Sequence, residues 1–345
     1  MCMRSGNSLI GSCSHILLFM VVVFVFAGGS EQNLGSEQIK GQTTGDARGS
    51  EQIHEKVLIS GSEQRNRHVI MGYLPEWKVR FYPPAAAKNM THVVYFGLAP
   101  DHSGTIKQTT IKRDLPFLEK INSISGATLL LCIGGEHTGK DFYELTRSVQ
   151  TRKIFIKNVL ACCRGPFRGI VIDWEYPDTT DKIRAFEVLV KELAPIMHAR
   201  GCCLIVTVPA HLVYSPVIYD TVDYLHLMSY DHRGMCPTLE QARRDVEAQV
   251  NAGVRAGKIC LGIPFYGRNM NQPERAMPYA AIMRTYRPGA GEDNAGPFCF
   301  NNRNTVKEKA RFAGQSGLAG VMVWEISQDI HESGKSLLEV LVKAE

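Results

Sequence analysis

The segment from Phe167 to Pro177 reads FRGIVIDWEYP, an apolar run that ends in two carboxylates. The run predicts a buried β-strand, because it is continuously apolar rather than alternating between apolar and polar residues. Side chains alternate along a strand, so Val171, Asp173 and Glu175 share one face. Two acids at the carboxyl end of a buried strand are typical of a functional site at the edge of a parallel sheet.

Seven further apolar runs accompany this one, and most of the intervals between them have helix-like patterns. Eight strand–helix units in about 280 residues predict an α/β fold, a (β/α)8 TIM barrel that forms one catalytic domain. A doubly wound open sheet is the main rival, but Gly134-Gly135 is followed by Glu136-His137 rather than by a dinucleotide-binding glycine pattern. The predicted strands cover residues 69–73, 92–98, 128–133, 169–174, 204–208, 224–229, 259–264 and 320–324.

The N-terminal part of the 345-residue chain has a different composition. Residues 1–27 contain an apolar run of signal-peptide length, with an uncleaved membrane anchor as the alternative, and residues 28–66 form a Gly, Ser, Glu and Gln-rich stalk with four GSEQ repeats. The barrel is predicted for residues 67–345. We therefore expect a secreted protein that does not contact a membrane unless the first segment is an anchor.

The overall charge gives no sign of a nucleic-acid partner. The net charge is +5, and the basic residues are scattered, with no run longer than Arg243-Arg244. Apolar residues make up 44% of the chain and charged residues 21%, which excludes collagen-like, coiled-coil and fully disordered proteins.

Eight cysteines remain outside the leader, and four of them form two adjacent pairs, Cys162-Cys163 and Cys202-Cys203. Each pair precedes a predicted strand, so one disulfide between the pairs is geometrically reasonable if those strands are neighbours. The sequence does not fix the connectivity, and no metal-ligand spacing accompanies the pairs. Asn89 begins a candidate N-glycosylation site.

Acidic and aromatic side chains collect at the predicted carboxyl ends of the strands. Such a set suits a sugar, because aromatic faces stack on pyranose rings and a carboxylic acid can protonate a glycosidic oxygen. A strand-end salt bridge is the structural alternative for the two acids. No Ser-His-Asp or Cys-His arrangement is found at these positions. The set comprises Tyr73, Trp77, Glu136, Asp173, Glu175, Met228, Tyr230, Asp231, Tyr266, Arg268, Trp324 and Glu325.

From about Val69 onward the chain resembles glycoside hydrolase family eighteen, the chitinase family. Six short motifs carry the resemblance in the order of the barrel strands. They are MGY at 71–73, IGG at 133–135, the segment 167–177, MSYD at 228–231, GIPFYGR at 262–268 and GVMVWE at 320–325. The resemblance implies cleavage of β-1,4-linked N-acetylglucosamine, as in chitin oligosaccharides, by a substrate-assisted retaining mechanism.

The resemblance also implies a role for each residue of the site. Glu175 protonates the leaving oxygen, Asp173 orients the acetamido N–H, and Tyr230 hydrogen-bonds the acetamido carbonyl. Trp324 lies under the reacting sugar, and the other substrate-binding residues are Asp231, Tyr73, Met228, Tyr266 and Arg268. No metal or organic cofactor is implied, and we expect a monomer.

The chain departs from the family motif DGxDxDxE at two positions, where Arg168 and Val171 stand in place of aspartates. Arg168 is predicted to point away from the barrel axis. Val171 removes a carboxylate beside Asp173, so we expect a slower enzyme with a shifted acid limb. The alternatives are a weak or inactive chitin-oligosaccharide-binding lectin, or a hydrolase of N-glycan core or bacterial wall glycan.

Three smaller departures lie around the cleft. Cys132 replaces a usual Ser, and Glu136 replaces a common Trp. The insertion at 269–304, after the seventh strand, is short, which predicts a shallow cleft.

Overall fold

The computed structural model describes residues 68–230, 232 and 235–343. The predicted signal peptide and stalk, residues 1–66, and the predicted sugar contact Asp231 lie outside the described residues. All statements below on structure refer to the described part of the chain.

Eight parallel strands close into a barrel, and each of the eight predicted runs forms one of them. The strands are β1 (Val69–Pro75), β2 (His92–Leu98), β3 (Thr128–Gly135), β4 (Phe167–Trp174), β5 (Cys203–Pro209), β6 (Tyr224–Met228), β7 (Ile259–Pro264) and β12 (Gly320–Trp324). Their order around the barrel is β1-β12-β7-β6-β5-β4-β3-β2, so the predicted α/β barrel is confirmed.

Helices lie between the strands, and several begin at a side-chain cap. Thr179 accepts a hydrogen bond from the backbone N–H of Lys182, and Asn302 accepts from Asn304 and Thr305. The helices are α1 (Thr109–Ser125), α2 (Gly139–Thr146), α3 (Val149–Cys162), α4 (Thr180–His198), α5 (Pro216–Thr221), α6 (Leu239–Asn251), α7 (Tyr279–Tyr286), α8 (Arg303–Gln315) and α9 (Leu337–Lys343), with 3-10 helices at Val79–Phe81, Pro84–Ala87, Ala256–Lys258 and Ile326–Gln328.

Strand β4 has two apolar faces, which explains its continuous hydrophobic sequence. Ile170, Ile172 and Trp174 belong to the core between the strands and the helices, and Trp174 stacks on Phe142 of α2 with ring centroids 5.5 Å apart. Val171 belongs to the separate cluster inside the barrel. Because the outward residues fix the strand against the helices, Asp173 is directed inward, as the strand parity predicts.

The insertion after β7 is short but has its own α+β structure. Strands β8 (Tyr266–Asn269), β9 (Ala276–Pro278), β10 (Asn294–Ala295) and β11 (Phe298–Cys299) form an antiparallel sheet in the order β10-β11-β8-β9, accompanied by α7. A disulfide joins Cys236, in the segment after β6, to Cys299 of β11. This bond links the insertion to the neighbouring loop of the barrel, and the sequence did not predict it.

The two predicted cysteine pairs lie close together at the amino ends of β4 and β5, which are neighbours. The Sγ atoms of Cys163 and Cys202 are 3.5 Å apart, but both residues are free thiols, so the predicted disulfide is not formed in this structure. Cys203 packs against the cluster inside the barrel, whereas Cys162 belongs to the outer core. Cys163 directly follows the last residue of α3 and Cys202 directly precedes β5, and these are the two members of the pairs whose thiols meet.

Within the described part of the chain, no helix is both long and apolar enough to cross a membrane.

Candidate active site

Asp173 lies at the carboxyl end of β4 and is only 4% exposed. Its Oδ1 accepts a hydrogen bond from Thr207 Oγ1 at 2.5 Å, and its Oδ2 is 3.9 Å from the Cys132 thiol. Val171 is fully buried two residues earlier on the same face. The carboxylate is therefore held by a hydroxyl and a thiol, above an apolar side chain.

Burial raises the pKa of Asp173 to about 6, whereas the hydrogen bonds from Thr207 and Cys132 act in the opposite direction. A carboxyl group with this pKa is mostly ionised at neutral pH and becomes protonated as the pH falls through 6. The side chain can therefore carry a negative charge into the barrel interior at neutral pH, at a position where solvent does not screen it.

Strand β3 approaches β4 very closely beside Asp173. Gly134 pairs with Asp173 in the parallel ladder and has a φ of +131°, a conformation that side chains rarely adopt. A Cβ atom at Gly134 would overlap the backbone carbonyl of Asp173. Glycine at this position therefore allows the close strand contact that brings Cys132 next to the carboxylate.

Glu175 follows the last residue of β4 and is half-buried. Its peptide bond to Tyr176 is cis. Gly139, at the start of α2, packs against the Glu175 carbonyl and leaves no room for a Cβ atom. Burial raises the pKa of the Cys132 thiol, and the charges of Asp173 and Glu175 raise it further.

Three aromatic rings surround the end of β12. Trp324 lies edge-to-face with Phe96 at a centroid distance of 4.8 Å and with Tyr73 at 5.5 Å. Trp77, which is 56% exposed, contacts the outer side of Phe96 at 6.0 Å. Because Trp324 is only partly buried, an aromatic surface remains at the mouth of the barrel and can stack on a sugar ring.

Tyr73 was predicted to line the cleft, but its hydroxyl is used inside the barrel. The hydroxyl lies 2.8 Å from Nδ1 of the fully buried His226, whose Nε2 is 3.0 Å from Met71 Sδ. Burial raises the pKa of Tyr73 and lowers the pKa of His226 to about 3, so both groups are neutral at neutral pH. The ring of Tyr73, which is 2% exposed, also contacts Trp324.

The other predicted substrate contacts come from β6 and the insertion. The rings of Tyr230 and Tyr266 are 6.3 Å apart in an edge-to-face arrangement, and the Arg268 guanidinium lies 5.2 Å from the centre of the Tyr266 ring. Met228 packs against the same interior cluster, which contains Tyr73, Tyr230, Tyr266 and Val171. The structure thus brings Asp173, the tyrosines and Trp324 to one end of the barrel.

Two further acids of the predicted set directly follow the carboxyl ends of β3 and β12. Glu136 is exposed. Glu325 is buried and accepts hydrogen bonds from the backbone N–H and the hydroxyl of Ser327, both at 2.9 Å, so it caps the following 3-10 helix. Burial raises the pKa of Glu325. The hydrogen bonds with Ser327 give Glu325 a structural role.

The sequence did not single out Phe96, Thr207 or His226, although each contacts a predicted site residue. Phe96 lies two residues after the inward Val94, so strand parity could have identified it. Thr207 and His226 are polar residues within apolar strands, which is a weaker signal. Their partners depend on the register between strands, which the sequence alone does not give.

Among residues 68–230, 232 and 235–343, no group of three or more His, Cys, Asp or Glu side chains could hold a metal ion.

Curated relatives of the chain include chitinases from an animal and a fungus. Chitotriosidase-1 of Mus musculus is 25% identical over 338 residues, which cover 74% of this chain and 72% of that protein. Chitinase 1 of Aphanocladium album is 26% identical over 260 residues, which cover 58% of this chain and 61% of that protein. The chain thus spans only part of the length of these relatives.

Solved structures with the same fold include two chitinases at low sequence identity. A plant class V chitinase mutant from Cycas revoluta in complex with (GlcNAc)3 has a TM-score of 0.71 and 22% identity, over 80% of this chain and 99% of that chain. A chitinase from the chitin utilization locus of Flavobacterium johnsoniae has a TM-score of 0.69 and 22% identity, over 81% and 94%. These likenesses show the fold.

The family assignment rests on a separate comparison. The family model for glycosyl hydrolases family 18 matches residues 69–329, well over half of the chain and the whole barrel from β1 to the 3-10 helix after β12. The chain therefore belongs to glycosyl hydrolases family 18 and is a chitinase-like glycosidase.

Proposed function

We propose that the chain is a secreted hydrolase that cleaves β-1,4-linked N-acetylglucosamine, most simply chitin oligosaccharides. The observation that carries the proposal is that the buried Asp173 and the half-buried Glu175 both lie at the carboxyl end of β4, the end of the barrel that also holds the partly exposed Trp324 of β12. Secretion is supported by the signal-peptide pattern of residues 1–27.

The proposed reaction begins with proton transfer from Glu175 to the glycosidic oxygen. The carbonyl oxygen of the sugar's own 2-acetamido group attacks the anomeric carbon, and the bond to the leaving sugar breaks with the electron pair going to the protonated oxygen. Water then adds to the anomeric carbon of the oxazolinium intermediate while the Glu175 carboxylate accepts a proton. Two displacements at the same carbon retain the anomeric configuration.

Asp173 is proposed to stabilise the positive charge that develops on the acetamido group. Its ionised carboxylate accepts a hydrogen bond from the acetamido N–H and thereby directs the carbonyl oxygen towards the anomeric carbon. The low exposure of Asp173 strengthens this interaction, because few water molecules compete for the charge. Since burial raises its pKa to about 6, we expect activity to fall as the pH drops through this value.

The remaining residues are proposed to hold the substrate. Trp324 presents its ring to the sugar whose bond is cleaved, and Tyr230 donates a hydrogen bond to the acetamido carbonyl. Tyr266 and Arg268, which pack against each other, line one side of the cleft together with Met228. Asp231 is proposed as a sugar contact from the family motif alone.

A sugar-binding protein with little or no catalysis is the second candidate, and Val171 is the observation that favours it. The side chain below Asp173 is fully buried and apolar, so the carboxylate that the family motif places there is missing. Glu175, the proposed acid, is present, which favours the enzyme.

The decisive experiment compares the natural chain with Glu175→Gln on fluorogenic chitobiose and chitotriose. Removing the acid is expected to lower kcat by about 10²–10⁴-fold, the usual contribution of general acid catalysis. Glu119→Gln is the matched control, because Glu119 is exposed in the middle of the outer helix α1 and should be replaceable without loss. If the natural protein binds chitotetraose in calorimetry but turns over no faster than Glu175→Gln, the lectin function replaces the proposed one.

A further inference from the structure

Thr207 of β5 is the closest polar neighbour described for the Asp173 carboxylate. It is 2% exposed, and its hydroxyl donates to Asp173 Oδ1 at 2.5 Å. A carboxylate can only accept, so the direction of this hydrogen bond is fixed when Asp173 is ionised. The other contact, from the Cys132 thiol at 3.9 Å, is longer and comes from a weaker donor.

We propose that Thr207 is a positioning residue for Asp173, which takes over the support that an apolar Val171 cannot supply. This inference rests on the proposed function, in which the ionised Asp173 orients the substrate's acetamido group. The Thr207 hydroxyl holds Oδ1 and leaves the carboxylate oriented for the substrate. It also favours the charged form in a site where burial opposes it.

The register between β4 and β5 makes the contact between Asp173 and Thr207 rigid. Ile172 of β4 pairs with Val206 of β5, so the next residues along the two strands, Asp173 and Thr207, lie side by side. Threonine is branched at Cβ and has few side-chain conformations. Both side chains are buried among strands of the closed barrel, so neither can move far without disturbing the sheet.

Among the described residues, the titratable groups that interact electrostatically with Asp173 include Cys132 on β3, Tyr73 on β1 and Tyr214 after β5, and Glu175 acts on the same Cys132 and Tyr214 from the end of β4. None of these groups is positively charged. Among the described residues, the groups that donate to the Asp173 carboxylate are the Thr207 hydroxyl and the Cys132 thiol. The Thr207 hydroxyl is therefore the main group that opposes protonation of the Asp173 carboxylate.

The test compares Thr207→Val, which removes the hydroxyl at nearly constant shape, with Thr207→Ser, which keeps it. In Thr207→Val we expect the acid limb of kcat/KM to move to higher pH by about one unit, because the ionised form loses a hydrogen bond. Thr207→Ser should show the same acid limb of kcat/KM as the natural protein. Thr221→Val is the control, since the Thr221 hydroxyl bonds only to the Val217 carbonyl in α5.

A second measurement separates this inference from the proposed function. The carboxyl carbon of Asp173 is titrated by NMR in full-length protein labelled with 13C-aspartate, with Asp173→Asn used to assign the signal. A higher pKa in Thr207→Val supports the positioning role even if no substrate is turned over. An unchanged pKa and an unchanged acid limb would overturn it. If Thr207→Val does not fold, Thr207→Ala takes its place in both measurements.

Discussion

The two ends of strands β4 and β5 lie beside hydrogen-bonded side-chain pairs with different electrostatic surroundings. At the carboxyl ends, Asp173 accepts from Thr207 inside the barrel. At the amino ends, the thiols of Cys163 and Cys202 are in contact at the rim. The same two neighbouring strands thus position one pair at the proposed site of chemistry and another at the opposite end.

The pairs differ in how their surroundings shift the pKa values of their acidic groups. Burial among apolar strands raises the pKa of Asp173. The hydrogen bond from Cys163 lowers the pKa of the Cys202 thiol and the nearby charges of Arg168 and Arg200 lower it further, whereas burial acts in the opposite direction. The pKa of Cys163 itself is raised by the same hydrogen bond and by burial. The comparison teaches that strand pairing brings groups together, whereas the balance of burial, hydrogen bonds and nearby charges at each group decides which charge state is favoured.

The largest expected effect on activity comes from removing the negative charge of Asp173, at the carboxyl end of β4. Asp173→Asn keeps the shape of the side chain but removes its charge, so kcat on chitotriose should fall by about 10²–10³-fold, the size seen when one charge-stabilising group is removed. Steady-state kinetics at pH 7 measures the effect. Asp178→Asn is the control, because Asp178 is exposed and paired only with Lys182. Equal kinetics for Asp173→Asn and the natural protein would contradict the charge-stabilising role.

A smaller effect is expected from adding a carboxylate to β4, two residues before Asp173. Val171→Asp restores a partner that can share a proton with Asp173 and accept it between catalytic steps, so we expect kcat to rise by about 3–10-fold. Val171→Asn is the matched control, since it adds polarity without a titratable group.

Burial of a second carboxylate also lowers stability, so a thermal unfolding scan must accompany the kinetics of Val171→Asp. A folded Val171→Asp protein with an unchanged or lower rate would show that the missing carboxylate does not limit turnover.

Changes at Cys163 and Cys202, near the amino ends of β4 and β5, are expected to have the smallest effect on activity but a measurable effect on stability. We expect Cys163 and Cys202 to form a disulfide when the protein is exposed to oxidised glutathione. The Cys202 thiolate attacks the glutathione disulfide and releases one glutathione, and Cys163 then attacks the mixed disulfide and releases the second. Peptide mapping by mass spectrometry should find the Cys163–Cys202 cross-link.

The same cross-link should appear in thermal unfolding. A bridge between the end of α3 and the residue before β5 is expected to contribute about 2–4 kcal/mol, so Cys163→Ser should lower the Tm of the oxidised protein by about 5 °C or more. Under reducing conditions the two proteins should unfold alike. A different partner for Cys202 in the peptide map would show that the 3.5 Å contact does not determine the pairing.

Much of the barrel could be predicted from the sequence, because each strand is buried on both faces and is therefore a continuous apolar run. The inward direction of Val171 and Asp173 also followed from strand parity alone. Thr207, the Tyr73–His226 contact and the Cys236–Cys299 bond could not be predicted in the same way. Each joins residues far apart in the chain, and their proximity depends on strand register and loop paths.

The sequence by itself determined the barrel, its family and the two carboxylates, since these follow from local patterns and short motifs. The tertiary structure decided how the carboxylate of Asp173 is held and charged. Its 4% exposure and its hydrogen bond to Thr207 arise only when β5 closes against β4, and a pKa depends on the burial and neighbours that this closure creates.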